Sequence, residues 1–273
     1  MKPLINKAKR AFHMMQLTNR YFGHRAALRY LMRLPKAIQS DAMIQAFLGG
    51  NYRSHLDGLE IKWIAPNPQF MEEIIEMRCY TPNQFFEIGR NDIVLDLGAY
   101  VGTFTLYAAL KAVDGLVVAV EPNPSLFEML KQNVAVNGIN NVMLLNALVS
   151  DKDGQSKFYM LDSGGSVREG YSTKGKEVEL TSYRISSIMS KYGIQSVDFI
   201  KMDIEGAEFD IFQGDMAFLQ HVSRLAMEVH SACGSVEDVL RLLNASGFTV
   251  DQRPAFPDSH LIYVYARRPP SAE

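Results

Sequence analysis

Four short apolar runs in this chain each carry an ionisable side chain at or beside the carboxyl end. Ile93–Leu97 contains Asp96, and Leu116–Val120 precedes Glu121. Val197–Met202 contains Lys201 and precedes Asp203, while Leu225–Val229 contains Glu228 and precedes His230. Apolar runs of this length, without strict polar alternation, suit strands covered on both faces. Between them lie helix signals. Thr103–Ala112 reads as one helix, and Pro124 opens another that Gly138 can close, with Leu126, Leu130 and Val134 on one face. Val236–Ala245 has Val236, Val239, Leu240 and Leu243 in register. Alternating β and α elements of this kind dictate a doubly wound α/β sheet, whose ligands sit beyond the carboxyl ends of the strands.

The remaining elements are expected as follows. Leu59–Ile64 is a short strand, Phe70–Met77 a helix, Val142–Leu148 a strand and Phe158–Leu161 another. Ser163–Gly175, rich in Gly and Ser, reads as a mobile loop. Phe248–Asp251 and Leu261–Ala266 have no helix between them, so they form an antiparallel hairpin at the end of the sheet.

At 273 residues and 47% apolar, the chain can bury a large core. Two cysteines, Cys79 and Cys233, lack the spacing of a zinc cluster or a disulfide framework, so a cytoplasmic location is expected. No apolar run reaches the roughly 18 residues of a membrane span, and no signal peptide is read. Charge is uneven. Residues 1–40 carry nine Lys or Arg and no acid. Residues 1–57 are therefore read as a basic N-terminal helical extension and 58–273 as the main domain. That extension packs on the acidic body of its own chain or of a neighbouring copy, or it meets an anionic membrane surface.

Asp96, Gly98 and Gly102 form D-x-G-x-x-x-G, with Ala99 and Tyr100 inside the turn. A pyrophosphate site uses glycine-rich backbone without a nearby anion. An acid beside the glycines suits a ligand with a cationic part, and the helix from Thr103 aims its N–H groups the same way. Glu121, 19 residues after Gly102, ends the next strand, where an acid accepts hydrogen bonds from ribose hydroxyls. Pro122 and Asn123 then shape the adenine side. An adenosine with an amino-acid tail uses both acids, and S-adenosylmethionine is that ligand. The glycines also fit a tight turn that needs positive φ.

In "VDFIKMDIEGAEFDIFQG", period-2 alternation puts Phe199, Lys201 and Asp203 on one side of a strand. Glu228 and His230 share a side of the next. One rim then collects Asp203, Glu205, Glu208, Glu228 and His230, a general-base assembly, a metal seat or a plain rim network. His230 is the candidate base with Glu228 as its orienter. Asp203, Glu205 and Glu228 are the alternative seat for Mg²⁺. Lys201 is read as neutralising this rim.

"VLDLGAYVGTFT", "VVAVEPNP", "LNALVSDKDG", "FIKMDIEGAE" and "LAMEVH", in that order, resemble the FkbM-type S-adenosylmethionine-dependent methyltransferases over about residues 75–267. The resemblance implies a class I Rossmann-like fold with a seven-stranded sheet, and methyl transfer to a hydroxyl of a sugar, glycolipid or polyketide. By position it also implies that Asp96, Gly98 and Gly102 hold the methionine part and Glu121 the ribose. Asn146 and Ala147 would lie along the adenine, and Asp203 would face the sulfonium. Where such enzymes often show an Asp pair, this chain has Tyr183–Arg184.

Two other classes compete: a nicotinamide-dependent oxidoreductase on a similar sheet, and a non-catalytic nucleoside-binding relative. Nucleic acid is not an expected partner, since the body is acidic and no N/D-P-P-Y/F element follows the fourth strand.

Overall fold

The computed structural model describes residues 12–21, 24, 27, 52–56, 59–64, 71–161, 164–166, 176–214, 216–255 and 259–269. Its strands, in chain order, begin with a hairpin of β1 (Tyr52–Leu56) and β2 (Leu59–Trp63). Next come β3 (Ile93–Leu97), β4 (Leu116–Val120), β5 (Val142–Leu145), β6 (Leu148–Val149), β7 (Gly154–Leu161) and β8 (Gly164–Ser166). The series ends with β9 (Lys176–Tyr183), β10 (Val197–Met202), β11 (Val222–His230), β12 (Thr249–Pro254) and β13 (Leu261–Arg267). The α-helices of the main body are α1 (Thr103–Lys111), α2 (Pro124–Val136), α3 (Ile185–Lys191), α4 (Glu208–Gln213) and α5 (Val236–Ala245).

Seven strands form the main sheet in the order β12-β13-β11-β10-β3-β4-β5. The five strands from β11 to β5 run parallel, and β13 and β12 add on antiparallel as the expected terminal hairpin. This is the class I Rossmann-like α/β architecture. The sheet is covered on both faces. Ile200 and Met202 of β10 point into one apolar cluster with α3, α4 and α5, while Phe199 points into another with α1. Helix α1 is buried from Thr103 to Ala109, as its largely apolar sequence, with charge only at Lys111, requires. Fully burying each large aliphatic or aromatic side chain contributes about 1.5–3 kcal/mol.

Several expectations change. Val142–Leu148 is not one strand: β5 stays in the main sheet, whereas β6 leaves it after Asn146–Ala147 and pairs with β9. A second sheet, in the order β6-β9-β7-β8, was not foreseen. Its two long strands lie largely at the surface, and β9 alternates exposed and half-buried residues, so they lack the apolar runs that betray the main sheet. Part of the expected loop Ser163–Gly175 is strand β8, and residues 167–175 lie outside the described set. The helix expected from Phe70 to Met77 is a π-helix at Glu72–Glu76.

The β1–β2 hairpin is a separate layer, and the division expected at residue 57/58 falls between its strands. Trp63 and Ile61 are fully buried against Leu130 and Val134 of α2. Asn133, also on α2 and fully buried, accepts the N–H of Ile64 at 2.8 Å and donates to the carbonyl of Val101 at 2.8 Å. One amide thereby ties hairpin, helix and glycine turn together. Of the basic N-terminal segment, residues 12–21 are helical. They dock on the chain's own π-helix through Arg20–Glu76 at 2.6 Å and His13–Glu72 at 3.1 Å, with Met14 and Leu17 buried beneath. Among the described residues no helix is long and apolar enough to cross a membrane.

Candidate active site

The carboxyl ends of β3, β4 and β10 open onto a cleft of about 840 Å³, its open mouth included. Gly98, Ala99, Tyr100, Glu121 and Pro122 form one side, and Lys201, Asp203, Ile204 and Glu205 another. Leu148 and Val149 of β6 and Phe158 of β7 add an apolar wall from the second sheet. Tyr80, Ile74 and Phe104 close the far end.

Glu121 is 5% exposed, and backbone amides hold both its oxygens: Tyr100 N–H on Oε2 and Asn123 N–H on Oε1, each at 2.8 Å. Tyr100 adopts a left-handed φ of 56, an arrangement rare outside glycine that clusters at ligand sites. Burial pushes the Glu121 pKa up to about 7, against the pull of the Asn123 and Tyr100 amides. Each oxygen keeps a lone pair for a hydroxyl donor.

Asp96 occupies a different place from the one expected. It is fully buried behind the cleft wall, where it accepts the Thr105 hydroxyl at 2.5 Å and pairs with Lys201 Nζ at 3.4 Å. Lys201 also donates to the Gly98 carbonyl at 2.6 Å. Burial lowers the Lys201 pKa, but the attraction of Asp96 and Asp203 outweighs it and the net shift is upward. Lys201 is thus charged and neutralises the rim, as expected, and it removes the repulsion between Asp96 and its neighbours.

The glycines serve the protein's own packing. A Cβ at Gly98 would lie 1.7 Å from the Asp203 carbonyl oxygen, and one at Gly102 would lie 2.5 Å from Leu130 Cδ1. Both residues also have positive φ, 79 and 92. The bare backbone foreseen for a ligand is needed first for this close approach of strand end and helix. Asn123 and Asn146 likewise spend their side chains on the scaffold. Asn123 caps α2 by accepting from Ser125 and Leu126, and Asn146 donates to the carbonyls of Glu121 and Pro122. Ala147 is buried beside it.

The foreseen rim does assemble. His230, 3% exposed, sets Nδ1 3.1 Å from Glu208 Oε1 and Nε2 3.4 Å from Glu205 Oε2. Glu208 also accepts the amides of Ile204 and Gly206 at 3.3 Å, bracing a turn in which Glu205 has a φ of 54. Burial lowers the His230 pKa, but these hydrogen bonds to Glu205 and Glu208 push it up to about 12. The role of general base therefore does not suit His230: an imidazolium has no lone pair to take a proton. The orienting part given to Glu228 falls to Glu208.

Tyr80, which no local sequence signal marks, enters this rim instead. Its hydroxyl donates to Asp203 Oδ2 at 3.1 Å and lies 3.4 Å from Glu228 Oε2. Asn133 was also missed, although a polar residue interrupting the apolar stripe of α2 marks it.

The acids do not make the expected cation seat. Glu205 lies against His230, and the ligand atoms that gather within 4.8 Å belong to Asp203, Glu228 and His230. One of the three is an imidazole nitrogen, and Asp203 and Glu228 are already bridged by the Tyr80 hydroxyl. This donor set does not fit Mg²⁺, which prefers oxygen ligands in a regular octahedron.

Residues 96–250, more than half of the chain, match the family model described as the methyltransferase FkbM domain. The chain is 29% identical over 239 residues to the 31-O-demethyl-FK506 methyltransferase FkbM of Streptomyces tacrolimicus, covering 75% of this chain and 91% of that protein. It is 24% identical over 165 residues to the hexuronic acid methyltransferase AglP of Haloferax volcanii, covering 60% and 66%. Among solved structures, the Methanococcus jannaschii fibrillarin pre-rRNA processing protein superposes with a TM-score of 0.48 at 14% identity, covering 80% and 88%. On the extent of the first of these matches, the chain belongs to the FkbM family of S-adenosylmethionine-dependent methyltransferases.

Proposed function

We propose that this protein transfers the methyl group of S-adenosylmethionine to a hydroxyl of a small molecule, a sugar, glycolipid or polyketide. The observation that carries the reading is Glu121, buried at a strand end with both oxygens set by main-chain amides on the cleft wall. That is the geometry for a ribose diol. The amino-acid part would lie along Gly98–Tyr100 toward the N-terminus of α1, and adenine against Pro122, Leu148 and Phe158. Asp203 would face the sulfonium. A sulfonium is already a good leaving group, so the protein's task is to align acceptor oxygen, methyl carbon and sulfur and to exclude water. The apolar wall from the second sheet serves that exclusion. Among the relatives, one is named for 31-O-demethyl-FK506, an oxygen acceptor, and another for a hexuronic acid.

The nicotinamide alternative is less well served, because Gly98 and Gly102 are occupied by packing and no glycine-rich phosphate cradle remains among the described residues. Neither Cys79 nor Cys233 is in a disulfide, which agrees with a cytoplasmic setting. Residues 12–21 bind the chain's own π-helix, so a membrane or a second copy would have to engage other parts of the basic segment.

Calorimetry with S-adenosylhomocysteine, with NADH as the control, tests the cofactor. Transfer of labelled methyl to a panel of macrolide and glycoside alcohols tests the acceptor. Binding of S-adenosylhomocysteine without NADH, and label in an ether product, is the expected result. Binding of NADH in its place would overturn the reading.

A further inference from the structure

Tyr80 lies outside the 96–250 span of the family match, and nothing above gives it a part in the reaction. It lines the cleft and is itself buried, whereas Glu228 is half-buried and lies beside the cleft lining. The Tyr80 hydroxyl touches both Asp203, on the wall, and Glu228, beside it, at 3.1 and 3.4 Å. Its ring is wedged edge-on between Phe104 and Tyr263, with centroids at 5.7 and 5.8 Å, and Lys201 Nζ sits 5.3 Å from the ring centre. The hydroxyl is therefore fixed between the cleft and a half-buried carboxylate next to it.

We propose that Tyr80 relays the acceptor's proton from the cleft to Glu228. This rests on the methyl-transfer reading above. As the acceptor oxygen bonds to the methyl carbon, the carbon–sulfur pair leaves with sulfur. The acceptor's hydroxyl proton passes to the Tyr80 oxygen, and the Tyr80 proton passes to Glu228. The products are a methyl ether, S-adenosylhomocysteine and a protonated Glu228, with Tyr80 unchanged. Glu228 returns the proton by the same path once product leaves.

The surroundings favour this route. Burial, then the charges of Asp203 and Glu228, holds the Tyr80 phenol well above its ordinary pKa, so it keeps a proton to pass on. Burial and Asp203 push Glu228 up to about 8, against the attraction of His230, and Glu73 and Glu205 add to the rise. Lys201, Cys79 and Tyr263 also face it. Above about pH 8 Glu228 is an ionised carboxylate of high proton affinity, a good proton sink, so the relay should run best in mildly alkaline solution.

The test is a double-variant cycle on the full chain. Tyr80→Phe keeps the ring contacts, and Glu228→Gln keeps the side-chain shape. Each is expected to lower kcat about 100-fold while the KM for cofactor stays within about threefold. Because both break one path, the double variant should fall no further than the singles. Multiplying losses, about 10⁴-fold together, or Tyr80→Phe keeping kcat within about threefold, would overturn the relay while methyl transfer stands. Wild-type protein that binds S-adenosylhomocysteine but methylates no hydroxyl would instead remove the reading beneath it. Should Tyr80→Phe lose cofactor binding through misfolding, 3-fluorotyrosine placed at position 80 substitutes for it. That isosteric, more acidic phenol should change kcat severalfold, and an unchanged kcat overturns the relay.

Discussion

The two sides of the cleft are built on opposite principles. The nucleoside side is contiguous and held by main chain. Glu121 is set by the amides of Tyr100 and Asn123, and Gly98 and Gly102 let a strand end, a turn and a helix close on one another. The reactive side is gathered from Tyr80, Asp203, Glu205, Glu208, Glu228 and His230, and its side chains hold one another. Main-chain donors stay where the fold puts them. Side-chain networks depend on every member keeping its charge. The first kind of site should tolerate pH and neighbouring change better than the second.

The sharpest way to break this contrast is Lys201→Met, because Lys201 joins the two sides. It would leave Asp96 buried without its partner, and a loss of about 3–5 kcal/mol is expected in denaturant unfolding. A loss below about 1 kcal/mol would mean that the seam is not electrostatic.

Glu121→Ala should weaken S-adenosylhomocysteine binding about 100-fold by calorimetry, two hydrogen bonds to a charged group at about 1.5 kcal/mol each. In the wild type, affinity should rise with pH through about 7, where Glu121 loses its proton and both oxygens become acceptors. A flat profile would show that the amides alone set its charge.

Asn133→Ala tests the main-chain-held side. Removing it orphans the Ile64 amide and the Val101 carbonyl, for about 1–3 kcal/mol of stability. Cofactor affinity should fall with it if the glycine turn depends on this clasp.

The last test, read as a slope with pH, concerns His230. Its folded pKa is raised to about 12 from an ordinary 6.5, so its contribution to stability is fully present below about pH 6.5 and declines as pH rises toward 12. The slope from one such proton is at most about 1.4 kcal/mol per pH unit. His230→Gln should remove that much of the alkaline slope in pH-dependent unfolding. An unchanged slope would return His230 to the list of bases.

The same contrast explains what was legible in the sequence. β3, β4 and β10 are apolar apart from Asp96, Asp198 and Lys201 and start and stop where the pattern says, and Glu121 is named by its distance from Gly102. Lys201 was read correctly as a neutraliser, because period-2 alternation sets it beside the acids. The second sheet escaped because one apolar run, Val142–Leu148, is shared by two sheets, and a one-dimensional pattern cannot show where a chain changes partners. Asp96 was placed against the ligand because adjacency in sequence does not show that Lys201 comes between. Tyr80 is 123 residues from Asp203 and 148 from Glu228, and no spacing rule reaches that far. His230 and its rim are legible in the sequence, but that Glu208 and Glu205, rather than Glu228, lie against its ring shows only in three dimensions.

The missing side chain at position 98 has a mechanical meaning. With the Asp203 carbonyl filling the volume a methyl would need, the Gly98 turn and the Asp203 edge of the cleft share one rigid joint. Such a joint works as a fixed gauge that holds the spacing between the two walls constant. New acceptors can then be accommodated by remodelling the outer layers while the inner measure stays constant.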